Sequence, residues 1–115
     1  MKIILHANDD MTRMKGLMFH RPITHKECAF FTFQREGQHS FWNKNVDFPI
    51  SLIFCDKEGV VRDIKKLGAQ QLEGVRPESY DIKYVIEAHE NAPVMYGIKM
   101  GKKIKLKDDE VDFDD

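Results

Sequence analysis

Ile50-Ser51-Leu52-Ile53-Phe54-Cys55 is a nearly continuous apolar run. A run of this length and composition is typical of a strand buried on both faces in the centre of a sheet. Asp56-Lys57-Glu58-Gly59 follows as a strong turn signal, and Val60-Val61-Arg62-Asp63-Ile64 then returns. We therefore predict a hairpin around residues 56–59 and a fold organised around the buried strand.

Further strands are predicted on both sides of this hairpin. Upstream, Lys2 to His6 forms a short first strand, and Ala29 to Gln34 is rich in phenylalanine. Downstream, Tyr80 to Ala88 alternates along its length, and Lys102 to Lys107 carries isoleucine and leucine at alternate positions. Aromatic and alternating patterns of this kind favour strands.

Local signals also predict the connections between the strands. Gly37 marks a turn after the phenylalanine-rich strand, so His39 to Asn43 is expected to pair back against that strand. Pro49 then makes residues 43–48 a connecting loop or an edge. Residues 65–79 are mixed and polar, with two glycines and a proline, which predicts a long irregular loop.

Two short helices complete the predicted fold. The first is capped within residues 8–10 and ends or packs closely at Gly16. Its apolar residues recur at three- and four-residue spacing and are expected to face the core: Met11, Met14, Leu17 and Met18. Asn91 caps the second helix, with Pro93 in its first turn. The predicted fold class is α+β, mostly β: a small, barrel-like, antiparallel-rich sheet with two short helices.

Length and charge bound the class of protein. A chain of 115 residues forms one domain, which we place at residues 1–107. Residues 108–115 are mostly acidic, and repulsion among like charges predicts a disordered tail. The formal net charge is −1, without the basic excess typical of a nucleic-acid-binding protein.

The cysteines and histidines give no sign of a metal or cofactor. Cys28 and Cys55 each stand in an apolar context, which favours two buried thiols. The alternatives are a disulfide between them or a reactive thiol. No pair among the five histidines has the short spacing of a structural zinc site.

No targeting segment is evident in the sequence. The apolar run from Met1 to His6 is too short for a signal peptide, and no stretch approaches the roughly 18 apolar residues of a membrane span. We therefore expect a soluble cytoplasmic protein without membrane attachment.

The candidate site lies in Ser40-Phe41-Trp42-Asn43-Lys44-Asn45-Val46-Asp47-Phe48-Pro49-Ile50, which contains the single tryptophan. Lys44 is expected to project into a cleft floored by Trp42. An ammonium over an indole gains about 0.5–2 kcal/mol and is able to receive an anionic or carbonyl-bearing ligand. Asn45 would fix that ligand by donating and accepting hydrogen bonds, and Asp47 completes the predicted ligand-binding set.

A purely structural interpretation of the same residues stays open. Asn45 would then bond the amides of its own loop, and Lys44 would pair with Asp47 or with Glu87. Residue spacing does not separate the two interpretations, because partners from distant parts of the chain meet only in the folded protein.

Several motifs resemble the domain of unknown function 192 (DUF192) family. In order along the chain they are Gly16-Leu17-Met18-Phe19-His20-Arg21, Ser40-Phe41-Trp42-Asn43-Lys44-Asn45, Pro49-Ile50 before a strand, Tyr84-Val85-Ile86-Glu87 followed by Ala92, Gly97-Ile98 and Gly101-Lys102. The likeness covers about residues 1–106. It implies a compact, strand-rich, barrel-like domain, and it carries no established activity.

The chain departs from the family pattern at three places. Asn43 stands where the family has methionine, and Ser51 replaces an acidic residue. Residues 28–31 read Cys-Ala-Phe-Phe in place of Gly-Met-Leu-Phe. The missing carboxylate at Ser51 weakens any mechanism that would pair it with Lys44.

Three functions are compatible with these features. The first is a module that binds a small anionic or peptide ligand near Trp42, Lys44 and Asn45. The second is an enzyme that uses Lys44 or Asp47 in proton transfer. The third is a domain that contacts a protein partner through residues 65–79 and the acidic tail.

Overall fold

The computed structural model describes residues 1–114, which form seven strands and two short helices. In chain order these are β1 (Lys2–Ala7), α1 (Asp10–Lys15), β2 (Glu27–Gly37), β3 (Ile50–Asp56), β4 (Val61–Leu67), β5 (Ile82–His89), α2 (Ala92–Met95), β6 (Ile104–Lys107) and β7 (Glu110–Phe113). The predicted fold class, α+β and mostly β, is confirmed. Neither helix is long or apolar enough to cross a bilayer within the described residues.

All seven strands belong to one sheet in the order β4-β3-β5-β2-β1-β7-β6. Only the β1–β2 pair is parallel among these neighbours. The sheet curls so that β4, at one end of the strand order, meets the residues that precede β6, at the other end. The Val61 amide donates to the Lys102 carbonyl at 2.7 Å, and the Gly101 amide donates to the Val61 carbonyl at 2.8 Å. The result is a half-barrel, which agrees with the predicted barrel-like sheet.

Strand β3 is an interior strand, hydrogen bonded to β4 on one side and to β5 on the other. Its apolar side chains alternate between two core clusters, with Leu52 and Phe54 in one and Ile53 and Cys55 in the other. All four are fully buried. The continuous apolar run is therefore explained by burial on both faces, and the predicted β3–β4 hairpin is confirmed.

The predicted hairpin between residues 29–34 and 39–43 is wrong. Strand β2 runs on to Gly37 and pairs with β1 over residues 27–31 and with β5 over residues 28–32 and at Gly37. Residues 39–43 join neither edge, and their contact with another strand-like segment is a single bridge between Phe41 and Val75. Residues 38–49, here called the crossing segment, therefore pass over a face of the sheet.

The apolar residues of the crossing segment hold it against that face. Phe41, Val46 and Phe48 are buried in the same cluster as the sheet residues Phe31 and Phe54. The Phe41 ring meets the Phe31 ring edge to face, with 5.2 Å between the ring centroids. Edge-to-face contact of aromatic rings is a favoured geometry and fixes the height of the segment above the sheet.

The core-facing methionine stripe predicted for the first helix is also wrong. Helix α1 has only six residues, and Met11 and Met14 are 84% and 74% exposed. The Asp9 side chain caps it as predicted, in a reciprocal capping box with Thr12. Gly16 ends the helix at φ +48°, a backbone region that favours glycine. The chain then turns, so Leu17 is buried although the helical methionines are not.

The prediction of disorder from residue 108 onward is wrong for the described part of the tail. Strand β7 pairs with β6 and touches β1. Its Val111 is fully buried, and the carbonyl of Val111 accepts a hydrogen bond of 2.8 Å from the Met1 ammonium. Alternation explains the order: Glu110 and Asp112 point to solvent while Val111 packs inward. Asp115 lies outside the described residues.

Both cysteines are buried and free, as expected, rather than joined in a disulfide. Burial raises the pKa of each thiol to about 12, so neither has thiolate character at neutral pH. The long loop is shorter at its start than predicted, because β4 continues through Leu67. Helix α2 begins with Pro93 near its N-terminus as predicted, although Asn91 makes no side-chain cap.

A substitution in β7 tests whether the acidic tail is part of the core. We expect Val111→Ala to lower the free energy of unfolding by about 1–3 kcal/mol, because it leaves space in a packed cluster. Urea denaturation measures the change. The control is Asp114→Ala, which removes a surface contact with Lys105 and is expected to cost less than about 1 kcal/mol. Equal, small effects in both variants would contradict a packed tail.

Candidate functional site

A cavity of about 280 Å³ lies between the end of α1, the crossing segment and the face of β2 and β5. Residues 13–18 form its first side, and residues 40–44 with Val46 form its second. Phe31 and Phe33 from β2 and Glu87 from β5 line it from the sheet. We call it the Trp42 cavity. It exists because the crossing segment lies over the sheet instead of within it.

Glu87 is the acidic residue of the cavity lining, and its side chain leaves the sheet among apolar neighbours. In the register of the sheet it stands between Ala29 of β2 and Leu52 of β3, both fully buried. Glu87 itself is only 4% exposed. Among residues 1–114, no side chain forms an ion pair with it, and no donor bonds its carboxyl. It is a buried carboxyl without a partner.

Burial has a large effect on the protonation of this group. It raises the pKa of Glu87 to about 8, since a carboxylate loses its hydration inside the protein. The side chain is therefore mostly a neutral acid at pH 7. In that state it is able to donate one hydrogen bond into the cavity, and it becomes a buried negative charge once the proton leaves.

Gly16 brings the backbone close to this carboxyl. A Cβ at that position would lie 3.8 Å from Oε1 of Glu87 and 3.5 Å from the Phe31 ring. Those distances are ordinary contacts, so space alone does not demand glycine. Glycine is favoured here because the backbone φ of Gly16 is +48°, a value that strains residues with a side chain. The turn at Gly16 thus sets the position of the cavity wall beside Glu87.

Trp42 and Lys44 stand together at the cavity, as the sequence predicts. The Lys44 ammonium lies 5.5 Å from the centroid of the Trp42 ring. Trp42 is 46% exposed, which places the indole at the mouth and not at the floor. Lys44 is not within 4.0 Å of a carboxylate of Asp47 or Glu87, so the salt bridges of the structural interpretation are not formed.

Asn45 and Asp47 do not line the cavity. Asn45 adopts φ +60°, its amide donates to Oε1 of Gln70 at 3.1 Å, and its carbonyl accepts from the Phe19 amide at 2.8 Å. Asp47 is exposed and accepts a hydrogen bond from Nε2 of Gln70. Gln70 thus links the two residues and holds the turn that carries Lys44. Asn45 also borders a shallow apolar surface beside the cavity, formed with Met11, Met14, Lys15, Met18, Trp42 and Lys44.

Asn43, a departure from the family pattern, is a buried structural residue at the cavity wall. Its Nδ2 donates to the carbonyls of Phe48 and Gly68 at 3.0 and 2.9 Å. These bonds tie the crossing segment to the loop that follows β4. Its Oδ1 is buried without a partner within the described chain. Two polar groups at this cavity, the Oδ1 of Asn43 and the carboxyl of Glu87, thus have no protein partner in the described chain.

Arg13 supplies a fixed positive charge to the same cavity. One guanidinium nitrogen donates to the Thr32 carbonyl at 2.7 Å and the other to Asp10 at 2.8 Å. The guanidinium lies 5.4 Å from the centroid of the Phe33 ring. Because it is held on three sides, Arg13 is not free to swing onto Glu87.

The sequence interpretation named Glu87 only as a possible salt-bridge partner of Lys44, and it placed neither Glu87 nor Arg13 in the ligand site. The signal for Glu87 was present, because a lone acid stands inside the apolar strand Val85-Ile86-Glu87-Ala88. Alternation along the strand did not show that both faces of β5 are covered at this position. Within residues 1–114, no three side chains of the metal-binding types come close enough to share an ion.

The protein is thus a small domain in which one curled sheet and the crossing segment enclose a cavity. The family model DUF192, described as an uncharacterized ACR, matches residues 3–106. The chain therefore belongs to the DUF192 family, as its motifs predict. No curated protein matches the sequence significantly.

Two solved structures share the fold. A "putative transcription regulator" from Sinorhizobium meliloti 1021 is similar with a TM-score of 0.80 and 22% identity, over 85% of this chain and 76% of that chain. A protein of unknown function from Novosphingobium aromaticivorans DSM 12444 is similar with a TM-score of 0.82 and 22% identity, over 88% of this chain and 72% of that chain. At this identity the similarity supports the fold and nothing more specific.

The raised pKa of Glu87 makes stability depend on pH in a defined direction. The folded state binds the proton of Glu87 more tightly than the unfolded state does. The stabilising effect of this bound proton is therefore complete below about pH 4.5. It is lost as the pH rises through about 8. We expect the free energy of unfolding to fall by a few kcal/mol, on the order of 4, over that range.

Glu87→Gln removes this titration while keeping the shape of the side chain. We expect the variant to be more stable than the parent chain at pH 8.5 and to lose the slope attributed to Glu87. Urea denaturation at pH 5, 6.5 and 8.5 measures both proteins, and all other titrating groups are common to them. Parallel pH profiles would contradict a buried, unpartnered acid at this position.

Proposed function

We propose that this DUF192 domain is a binding module for a small anionic or peptide ligand, held in the Trp42 cavity. The observation that carries the proposal is the buried carboxyl of Glu87, which lines the cavity and has no partner in the described chain. Buried polar groups are nearly always hydrogen bonded. A ligand that bonds this carboxyl would supply the partner that the described chain does not.

The charge at the mouth favours an anionic group. Arg13, Lys15 and Lys44 border the cavity, and Glu87 is mostly neutral at pH 7. A concave surface of one sign raises the local concentration of ligands of the opposite sign. Lys44 is best placed to meet such a group, because it stands at the mouth over the exposed indole of Trp42.

Asn45 and Asp47 enter the proposal as positioning residues. Through Gln70 they fix the turn from which Lys44 projects. A ligand that extends beyond the mouth would lie along the apolar surface that Asn45 borders. Proton transfer by Lys44 or Asp47 stays a prediction, and Asp47 lies outside the cavity lining. Docking of a protein partner through residues 65–79 likewise stays a prediction.

A thermal-shift screen with metabolites and short peptides tests the binding module. A ligand at about 100 times its Kd adds roughly 2.7 kcal/mol, which raises the Tm of a domain of this size by on the order of ten degrees. For a compound that shifts the parent chain, we expect Lys44→Met to weaken binding about 5- to 50-fold, since it removes the charge at the mouth.

Lys57→Met is the matched control. Lys57 is exposed on the β3–β4 turn and does not line the cavity, so this variant should bind as the parent chain does. A ligand that loses affinity equally in both lysine variants would point to general charge attraction. A broad panel without any hit would overturn the binding module.

A further inference from the structure

We infer that Glu87 receives a primary ammonium group, so that the ligand of the Trp42 cavity carries an ammonium and a carboxylate, as amino acids and peptides with a free N-terminus do. The inference rests on the binding module proposed above and names its ligand class. It assigns the carboxylate of the ligand to the basic mouth and the ammonium to the acidic wall.

Residues 1–114 do not supply a cation to Glu87. Arg13 is engaged by Thr32, Asp10 and the Phe33 ring. Lys44 lies over Trp42 at the mouth. No Lys, Arg or His nitrogen of residues 1–114 comes within 4.0 Å of the Glu87 carboxyl. The protein thus leaves room for an external cation at this position.

The wall of the cavity is largely aromatic and apolar. The cavity is lined by the rings of Phe31, Phe41 and Trp42 and by the apolar side chain of Leu17. Aromatic faces attract cations and repel anions. An ammonium at Glu87 gains from the ionised carboxylate and from the aromatic rings together, whereas an anion at this wall gains from neither.

The volume of the cavity and the positions of its charged residues limit the size and the charge pattern of a ligand. A volume of about 280 Å³ is at the low end for ligand sites, so it suits a molecule of amino-acid size or the first residue of a peptide. The acid lies on the sheet side, and Arg13, Lys15 and Lys44 lie on the opposing elements. A ligand with opposite charges at its two ends complements this arrangement.

Proton exchange gives the inference a distinctive signature. The charged groups that share the cavity lining with Glu87 are Arg13 and Lys15 from α1 and Lys44 from the crossing segment, while its neighbours on β2 and β3 are the uncharged Ala29 and Leu52. With a pKa of about 8, Glu87 holds its proton at pH 7. Binding of an ammonium ionises the carboxyl, so the proton passes to the buffer. Binding of an anion to the neutral acid would release none.

Calorimetry with 5-aminopentanoate and pentanoate tests the inference. The two probes share a carboxylate and a carbon chain, and only the first has an ammonium, whose pKa is near that of lysine, far above 8. Titrations at pH 7 in phosphate and in Tris yield the number of protons released. We expect 5-aminopentanoate to bind at least about tenfold more tightly and to release about one proton. Its affinity should rise roughly 25-fold from pH 6.5 to pH 8.5.

Variants assign these effects to the residue. Glu87→Gln should bind the two probes equally and without proton release. The matched control Glu90→Gln changes an acid at the end of β5 that does not line the cavity, and it should behave as the parent chain does. The proton count on the parent chain decides the inference even if Glu87→Gln fails to fold.

The outcomes separate the inference from the binding module. Equal binding of both probes, lost in Lys44→Met, would keep the module and overturn the role of Glu87. Proton uptake, or an affinity for 5-aminopentanoate that does not depend on pH, would also overturn it. Binding of neither probe would overturn the ammonium inference, and the metabolite panel would then decide the binding module by itself.

Discussion

The packing of the crossing segment on one face of the sheet is the interaction on which the rest of this structure depends. Strand β2 pairs with β1 and β5, and the residues that follow it add to neither edge. They lie over the sheet instead, where Phe41, Val46 and Phe48 are buried in the core. The roof of the Trp42 cavity and the position of Trp42 and Lys44 both follow from that packing.

The same arrangement buries Glu87. On an open sheet, its carboxyl would face water, because side chains on one face of an uncovered strand are solvated. The crossing segment helps to bury Glu87 without supplying a partner, and this burial raises the pKa of Glu87 to about 8. A small domain has little stability to spare. A buried acid in the lining is the feature that most strongly distinguishes this cavity from a gap between packed side chains. It makes β5, as well as Trp42, part of the candidate site.

Local patterns predicted the elements better than their partners. The apolar run of β3, the turn after it and the alternation of β5 were sufficient to place those strands, since burial on one or both faces leaves a direct trace in composition. The errors came from long-range choices. Residues 39–43 were expected to form a strand but pack over the sheet through Phe41. Met11 and Met14 have helical spacing but lie exposed on a six-residue helix, and Val111 is ordered by contacts with Met1, over a hundred residues away.

The sequence by itself determined the mostly β fold class, the β3–β4 hairpin, the family, and the contact of Lys44 with Trp42, which are close neighbours in the chain. Only the tertiary structure decided that Glu87 and Arg13 join them and that Asp47 does not. The reason is physical: spacing along a strand fixes which way a side chain points, but its charge state depends on what covers that face. Here the cover is the crossing segment, whose place is set by the burial of Phe41, Val46 and Phe48 against the sheet.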